Sequence, residues 1–274
     1  MTKSPDYINF GDYFKFDELK SSLKALEEDF SGLANLEVIG ESHQGREIFL
    51  LEVTNAETGK PEDKPAYYID ANTHAEELTG TNVAMYIAWE LLSKYGQDDY
   101  VTDILDKQAF YIIPRLNPDA AEFCLTEPFY EWIGNGRYLP GKEQTPPGLQ
   151  YSDINDDGVI VDMRIKDKNG EWKVSEEDPR LLVQRDPYER GGEYYKLIPE
   201  GYIEGYDGAE INIPRPRDGN LNRNYPYGWG PEGEQYGAGE YPLSEPETEA
   251  VVEFVTNHPN IFGGINYHTN AGVI

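Results

Sequence analysis

His74 and Glu77, in the run Tyr68-Ile69-Asp70-Ala71-Asn72-Thr73-His74-Ala75-Glu76-Glu77, form a His-x-x-Glu pair just past an apolar, strand-like stretch. The end of a strand in an α/β sheet is where ligands usually collect. An imidazole and a carboxylate at this spacing suit zinc, which at a catalytic site takes three protein ligands and keeps one position for water. His268, in Ile265-Asn266-Tyr267-His268, offers the third ligand and again ends a strand-like run. Alone, the four-residue pattern arises often by chance, and a strand histidine is commonly a satisfied core residue. Two such strand ends, far apart in sequence and closed only by tertiary structure, favour the metal.

Helical and strand periodicities describe the elements that must carry these residues. Leu19, Leu23, Leu26 and Phe30 recur at helical spacing with charges between them and predict an amphipathic helix over 17–30. Runs at 36–39, 47–54, 66–70 and 110–113 are rich in Ile, Val, Tyr and Phe and are bounded by Gly, Asn or Pro, as strands are. Between the last two, Val83, Ala84, Ile87, Ala88, Leu91 and Leu92 predict a helix over 81–95 that ends at Gly96. Ser244 and Glu247 have the spacing of a capping box and open a helix through Ala250, Val251, Phe254 and Val255, with His258 capping its end and a strand over 262–268 after it. From about 127 to 239 the chain is dense in Gly, Pro, Tyr and acidic residues with little periodicity, too long for an ordinary loop. It reads as an ordered, site-forming insertion, with its aromatics Tyr225, Tyr227 and Trp229 serving packing, in a single domain over 1–274 of the α/β class.

The 274 residues carry 51 acidic against 23 basic side chains, a formal charge of −28. Such a field repels nucleic acid phosphates and anionic headgroups and favours small cations. A solvated acidic surface that keeps the protein soluble accounts for the same charge. Cys124 is the only cysteine, so no intrachain disulfide forms and thiol pairing says nothing of the compartment. The start, Met1 to Tyr7, has no apolar core like that of a signal peptide, and no run approaches the roughly 20 apolar residues of a membrane span. Neither a Gly-x-Ser-x-Gly elbow nor a Gly-Lys-Ser/Thr phosphate loop is present, which argues against serine hydrolases of that type and nucleotide hydrolases. The expectation is no nucleic acid and no membrane among the partners.

Five motifs occur in a telling order: Gly40-x-Ser42-x-x-Gly45-Arg46, His74-x-x-Glu77, Asn117-Pro118-Asp119, Leu221-Asn222-Arg223-Asn224 and Tyr267-His268-Thr269. In that order they resemble the zinc carboxypeptidases, the carboxypeptidase A-like metallopeptidases, over about residues 15–274. The resemblance implies a mixed-sheet, helix-covered metallocarboxypeptidase-like fold, zinc held by His74, Glu77 and His268, and hydrolysis of the last peptide bond of a substrate with a free C-terminal carboxylate. It assigns that carboxylate to Asn222 and Arg223, which suits the planar fork of arginine beside a neutral amide donor. Arg164, in Val161-Asp162-Met163-Arg164-Ile165, looks like the family arginine that steadies the oxyanion, and its neighbourhood resembles a bacterial branch. A salt bridge with nearby acidic residues is the competing reading of Arg164.

Two departures from the family pattern matter. Glu76 stands where the family often has an arginine, and the family's glutamate base and mobile tyrosine lie beyond the third zinc ligand, on segments without a counterpart in this sequence. The expectation is therefore a fold incomplete at the C-terminus, with low or no activity alone and a complementing C-terminal segment or second chain as partner. Two alternatives stand beside it: a non-catalytic zinc-dependent module that binds peptide C-termini, and an amidase acting on a non-protein peptide such as a peptidoglycan stem. Members of the family are often secreted, and the compartment stays open.

A second metal, calcium, fits the run from Asp153 to Asp162. Asp153, Asn155 and Asp157 occupy positions one, three and five of a calcium loop with Gly158 at six, while Arg164 stands at twelve and leaves Asp162 to close the site. An Asx-rich turn held by its own side chains fits the same residues. Calcium there would order the insertion and position Arg164.

Overall fold

Apolar residues on successive positions of one strand need a hydrophobic layer on each side of the sheet. Glu47–Val53 has this property, with Ile48, Leu50, Phe49, Leu51 and Val53 all buried. The computed structural model describes residues 5–129, 134–137, 148–203, 205–206, 208, 211–213 and 219–269. Within the expected insertion, residues 130–133, 138–147, 204, 207, 209–210 and 214–218 lie outside the described residues, as do 1–4 and 270–274.

In chain order the elements are α1 (Phe16–Asp29), β1 (Ala34–Glu41), β2 (Glu47–Val53), β3 (Ala66–Ala71), α2 (Thr79–Lys94), α3 (Asp99–Lys107), β4 (Ala109–Ile113) and α4 (Pro118–Thr126). Six short strands follow: β5 (Gln150–Tyr151), β6 (Asp162–Lys166), β7 (Trp172–Val174), β8 (Leu182–Gln184), β9 (Tyr195–Pro199) and β10 (Gly201–Tyr202). The described elements close with α5 (Pro246–Asn257) and β11 (Ile261–Tyr267). Contacts divide the chain into two compact units, one of Met1–Glu127, Trp132–Glu143 and Pro216–Ile274, the other of Pro128–Glu131 and Gln144–Arg215. Among the described residues no helix is long and apolar enough to cross a membrane.

The first unit is built on a five-stranded mixed sheet in the order β1-β2-β4-β3-β11. β1, β2 and β4 pair antiparallel, whereas β4, β3 and β11 pair parallel. Alternation along the strands sends Phe49, Leu51, Val53, Ile69 and Ile112 to one core with Leu19, Leu23, Met85 and Trp89 of the helices. The other face sends Ile48, Leu50, Tyr111 and Ile113 against Ala250, Val251 and Phe254 of α5. β1 and β11 are the edges, and β11 is half open to solvent along its length.

Two of the five motifs meet in a buried latch. The Asp119 carboxylate, on the first turn of α4, accepts from Ser42 Oγ at 2.7 Å, from the Gln44 backbone N–H at 2.8 Å and from Arg46 Nη1 at 2.7 Å. The β1–β2 turn is thereby tied to α4.

The expected Ser244 capping box does not form, because both side chains are drawn into tertiary contacts. α5 starts at Pro246 with Glu245 as its N-cap; Ser244 Oγ donates to Glu245 and accepts from Asn224, while Glu247 turns inward to accept the His43 N–H at 3.3 Å. His258 ends the helix as expected, with Nδ1 2.7 Å from the Phe254 carbonyl. Glu247 is fully buried and its Oε2 meets no hydrogen-bond partner. Burial, with Glu245 and Asp119 adding repulsion against the backbone N–H donors, pushes its carboxyl up to about 7. The folded state holds this proton more tightly than the unfolded chain, whose carboxyl titrates near 4.5, so the stabilisation is complete below about pH 4.5 and lost as pH rises through about 7. It amounts to something on the order of 3 kcal/mol. Glu247→Gln should remove that share of the loss in urea unfolding between pH 5 and pH 8; equal losses in parent and variant would refute the assignment.

The second unit is antiparallel, a four-stranded sheet in the order β6-β9-β7-β8 and a two-stranded pair of β5 with β10. Glu200, buried between β9 and β10, accepts the backbone N–H groups of Ile154 and Asn155 at 2.8 and 3.3 Å and so anchors the 153–161 loop.

Candidate metal centre

Parallel neighbours end at the same edge of a sheet, and here that rule builds the site. β3 and β11 run in register with Asp70 opposite Asn266 and Ala71 opposite Tyr267, so the residues that follow each strand emerge side by side. Asn72 leaves β3 with φ of 58°, a left-handed conformation that asparagine tolerates better than most side chains. Its buried amide donates to the carbonyls of His74 and Ala75 and accepts from Thr81, which closes the loop carrying His74 and Glu77 onto α2. Gly80 permits the approach, since a Cβ there would meet Ala71 Cβ at 3.2 Å and the Tyr267 carbonyl at 3.4 Å.

His74, Glu77 and His268 converge as the residues predict, with one ligand atom from each lying within 4.8 Å of the others. His74 Nδ1 is 3.1 Å from Glu77 Oε1 and 3.2 Å from His268 Nδ1, and His268 Nδ1 is 2.7 Å from Glu77 Oε2. Tetrahedral ligands at zinc distances of about 2.0–2.1 Å stand roughly 3.3 Å apart, so the donor set fits that ion in kind and in spacing. Among the described residues it is the one group of three or more such side chains that converges in this way.

Electrostatics prepare the ligands. Burial pushes the Glu77 carboxyl up, but hydrogen bonds from His268 and His74 outweigh it and hold it down to about 2, so the group is an anion. The bond to Glu77 raises the His268 imidazole against the effect of burial, and Asp70 adds to the rise. Asp70 is buried below the site, where it accepts from Tyr68 at 2.8 Å and from Asn266, and burial lifts its carboxyl above the usual range despite those bonds.

Four residues that shape the centre carry no local signal in the sequence: Asn72, Asp70, Asn266 and Asn220. Asn220 Oδ1 lies 3.2 Å from His74 Nε2. Its position, two residues before Asn222, is the only hint that a motif search could have used.

Asn222 and Arg223 sit on a single 3-10 turn, Leu221–Arg223, whose N-cap is Asn220. Both are exposed, and among the described residues no carboxylate pairs with Arg223. Arg164 lies in the second unit on β6, exposed, with its guanidinium 4.9 Å from the centre of the Tyr195 ring. In the loop considered for calcium, Asp153 accepts from the N–H groups of Asp157 and Gly158, Asn155 Oδ1 accepts from Asp157 N, and Asp157 Oδ1 accepts from Val159 N. These are Asx-type turns. Asp162 is the first residue of β6 and is exposed.

The sequence profile of the zinc carboxypeptidases matches residues 19–274. The chain belongs to the zinc carboxypeptidase family. Carboxypeptidase B of Astacus astacus is 32% identical over 120 residues, which are 44% of this chain and 37% of that protein. Among solved structures, carboxypeptidase A from Helicoverpa armigera superposes with a TM-score of 0.62 at 15% identity, covering 98% of this chain and 49% of its own. Thrombin activatable fibrinolysis inhibitor follows with a TM-score of 0.57 at 19% identity, covering 98% and 51%. The mixed α/β architecture is thus the carboxypeptidase-like fold expected from the motifs. The chain spans about half the length of those two solved relatives.

Proposed function

We propose that the chain carries the zinc centre of a metallocarboxypeptidase that removes the C-terminal residue of peptides. The observation that carries this reading is the convergence of His74, Glu77 and His268 at tetrahedral spacing. Zinc held there would supply a Lewis acid and lower the pKa of a bound water toward neutrality. Asn222 and Arg223 take the substrate's terminal carboxylate; an exposed guanidinium that no carboxylate pairs with among the described residues, three positions after the cap that touches His74, is suited to that task. Arg164 serves the developing oxyanion, in line with the bacterial-type neighbourhood of its motif. Arg223→Ala should lower kcat/KM on peptides by about 10- to 100-fold, the worth of one charge-assisted contact.

Turnover by these residues alone should be slow. Among the described residues the acidic groups that bear on His268 are Glu77, a ligand, and Asp70, buried and hydrogen-bonded, and neither is free to take the proton of an attacking water. A site that works without a positioned general base loses about 10²- to 10⁴-fold. A complementing segment or second chain that supplied it could pair with the exposed edge of β11. The same feature favours the second reading, a zinc-dependent module that binds peptide C-termini without cleaving them.

The deciding experiment is release of terminal amino acids by the zinc-loaded chain from a panel of peptides and peptidoglycan stem peptides, with His74→Ala alongside. Release that disappears in His74→Ala supports the peptidase; zinc and peptide binding without release supports the binding module. The calcium reading of Asp153, Asn155, Asp157 and Asp162 rests on their spacing along the sequence. It requires calcium to raise the thermal midpoint of the parent chain and to leave Asp157→Ala unmoved.

A further inference from the structure

One oxygen atom serves two parts of the site. Asn220 Oδ1 stands 3.2 Å from His74 Nε2 and accepts the backbone N–H of Asn222 at 3.0 Å. The residue is 9% exposed, its own N–H donates to the Gly237 carbonyl at 2.7 Å, and the carbonyl of Gly219 before it accepts the Asn135 N–H at 3.0 Å. Asn224, at the other end of the turn, is fully buried and holds Ala238, Tyr241, Ser244, Glu245 and Thr248 through its amide. The oxygen is therefore set by a rigid turn rather than by a free side chain.

An acceptor opposite Nε2 places the His74 proton on that nitrogen and leaves the lone pair of Nδ1 facing Glu77 and His268. We propose that Asn220 is a positioning residue whose single side-chain oxygen fixes the tautomer and ring angle of His74 for zinc while it pins the turn presenting Asn222 and Arg223. Metal ligation and carboxylate recognition then share one mechanical support. Because that support is a neutral amide, it orients the ring without the added donor strength that a carboxylate partner gives a ligating histidine. The proposal rests on His74, Glu77 and His268 being the zinc ligands.

Two substitutions separate the two duties of the oxygen. Asn220→Ser keeps a hydroxyl that can cap the turn but is too short to reach His74, whereas Asn220→Asp keeps an acceptor at both places. Zinc affinity of the 274-residue chain would be measured by competition with a chromophoric chelator, together with the visible spectrum of the cobalt-substituted protein and the thermal midpoint without metal. The expected result is a 10- to 100-fold loss of zinc affinity and an altered cobalt spectrum in Asn220→Ser, with affinity at or above the parent's in Asn220→Asp. Parent-like affinity in Asn220→Ser, or Asn220→Asp as weak as Asn220→Ser, overturns the proposal whatever the thermal midpoints show. Zinc binding that survives both His74→Ala and Glu77→Ala would instead sink the ligand assignment, and this proposal with it.

Discussion

His268→Ala should bind zinc roughly 10³-fold more weakly than the parent chain. Zinc sites in small domains are worth about 10–16 kcal/mol in apparent free energy, so one ligand of a three-ligand set carries about 4 kcal/mol. The loss here is sharpened by what His268 does for its neighbours. Its Nδ1 is the closer of the two histidine contacts to Glu77, at 2.7 Å, and it helps hold that carboxyl at about 2. Without the ring, Glu77 keeps only His74, 3.1 Å away, and burial then works against the anion that zinc needs. His268 is also the most open ligand, with its side chain 32% exposed, so its removal should disturb the fold little. Chelator competition on folded variant and parent settles the matter, and a loss below about tenfold would place the ion elsewhere.

The second large effect concerns stability rather than metal. Asp119→Ala should cost about 4 kcal/mol, the range seen when one partner of a buried ion pair is removed. The carboxylate is fully buried at its side chain, and its removal leaves Ser42 Oγ, the Gln44 N–H and the Arg46 guanidinium without their acceptor. Arg46, at 30% side-chain exposure, and the exposed residue Gln44 have solvent to turn to, whereas the Ser42 hydroxyl is buried. For a chain of this size the thermal midpoint should fall by roughly 8–16 °C. Asp119→Asn keeps the shape and part of the hydrogen bonding, and should fall between parent and alanine variant. A midpoint within a few degrees of the parent in Asp119→Ala would show that the latch is ornamental.

Long periodic segments of the fold were legible. Helix α1 and helix α2 lie within two residues of their predicted spans, and β2, β3, β4 and β11 run where the apolar stretches placed them. Two helices passed unread, for a physical reason. α3 buries only Leu105, and α4 carries the small residues Ala120 and Ala121 on its inner face, so neither repeats a large apolar residue often enough to show a helical period. Local capping signals were present at both, Asp98 before α3 and Asn117-Pro118 before α4, yet an isolated cap does not prove a helix.

By itself the sequence determined the chemical types at the site and the strands that carry them. His74, Glu77 and His268 are named by their side chains and by the apolar runs that precede them, properties of each short segment alone. Tertiary structure decided the rest. β3 and β11 pair in parallel with matched register, and only that pairing brings two strand ends into ligand spacing. Packing likewise placed Asn220 opposite His74 and turned Glu247 away from its capping box, because a polar group buried beside a neighbour bonds to whatever packing presents, at a cost of about 1–3 kcal/mol if it bonds to nothing. Local spacing specifies what a residue can offer, and the packed core specifies which partner is there to accept it.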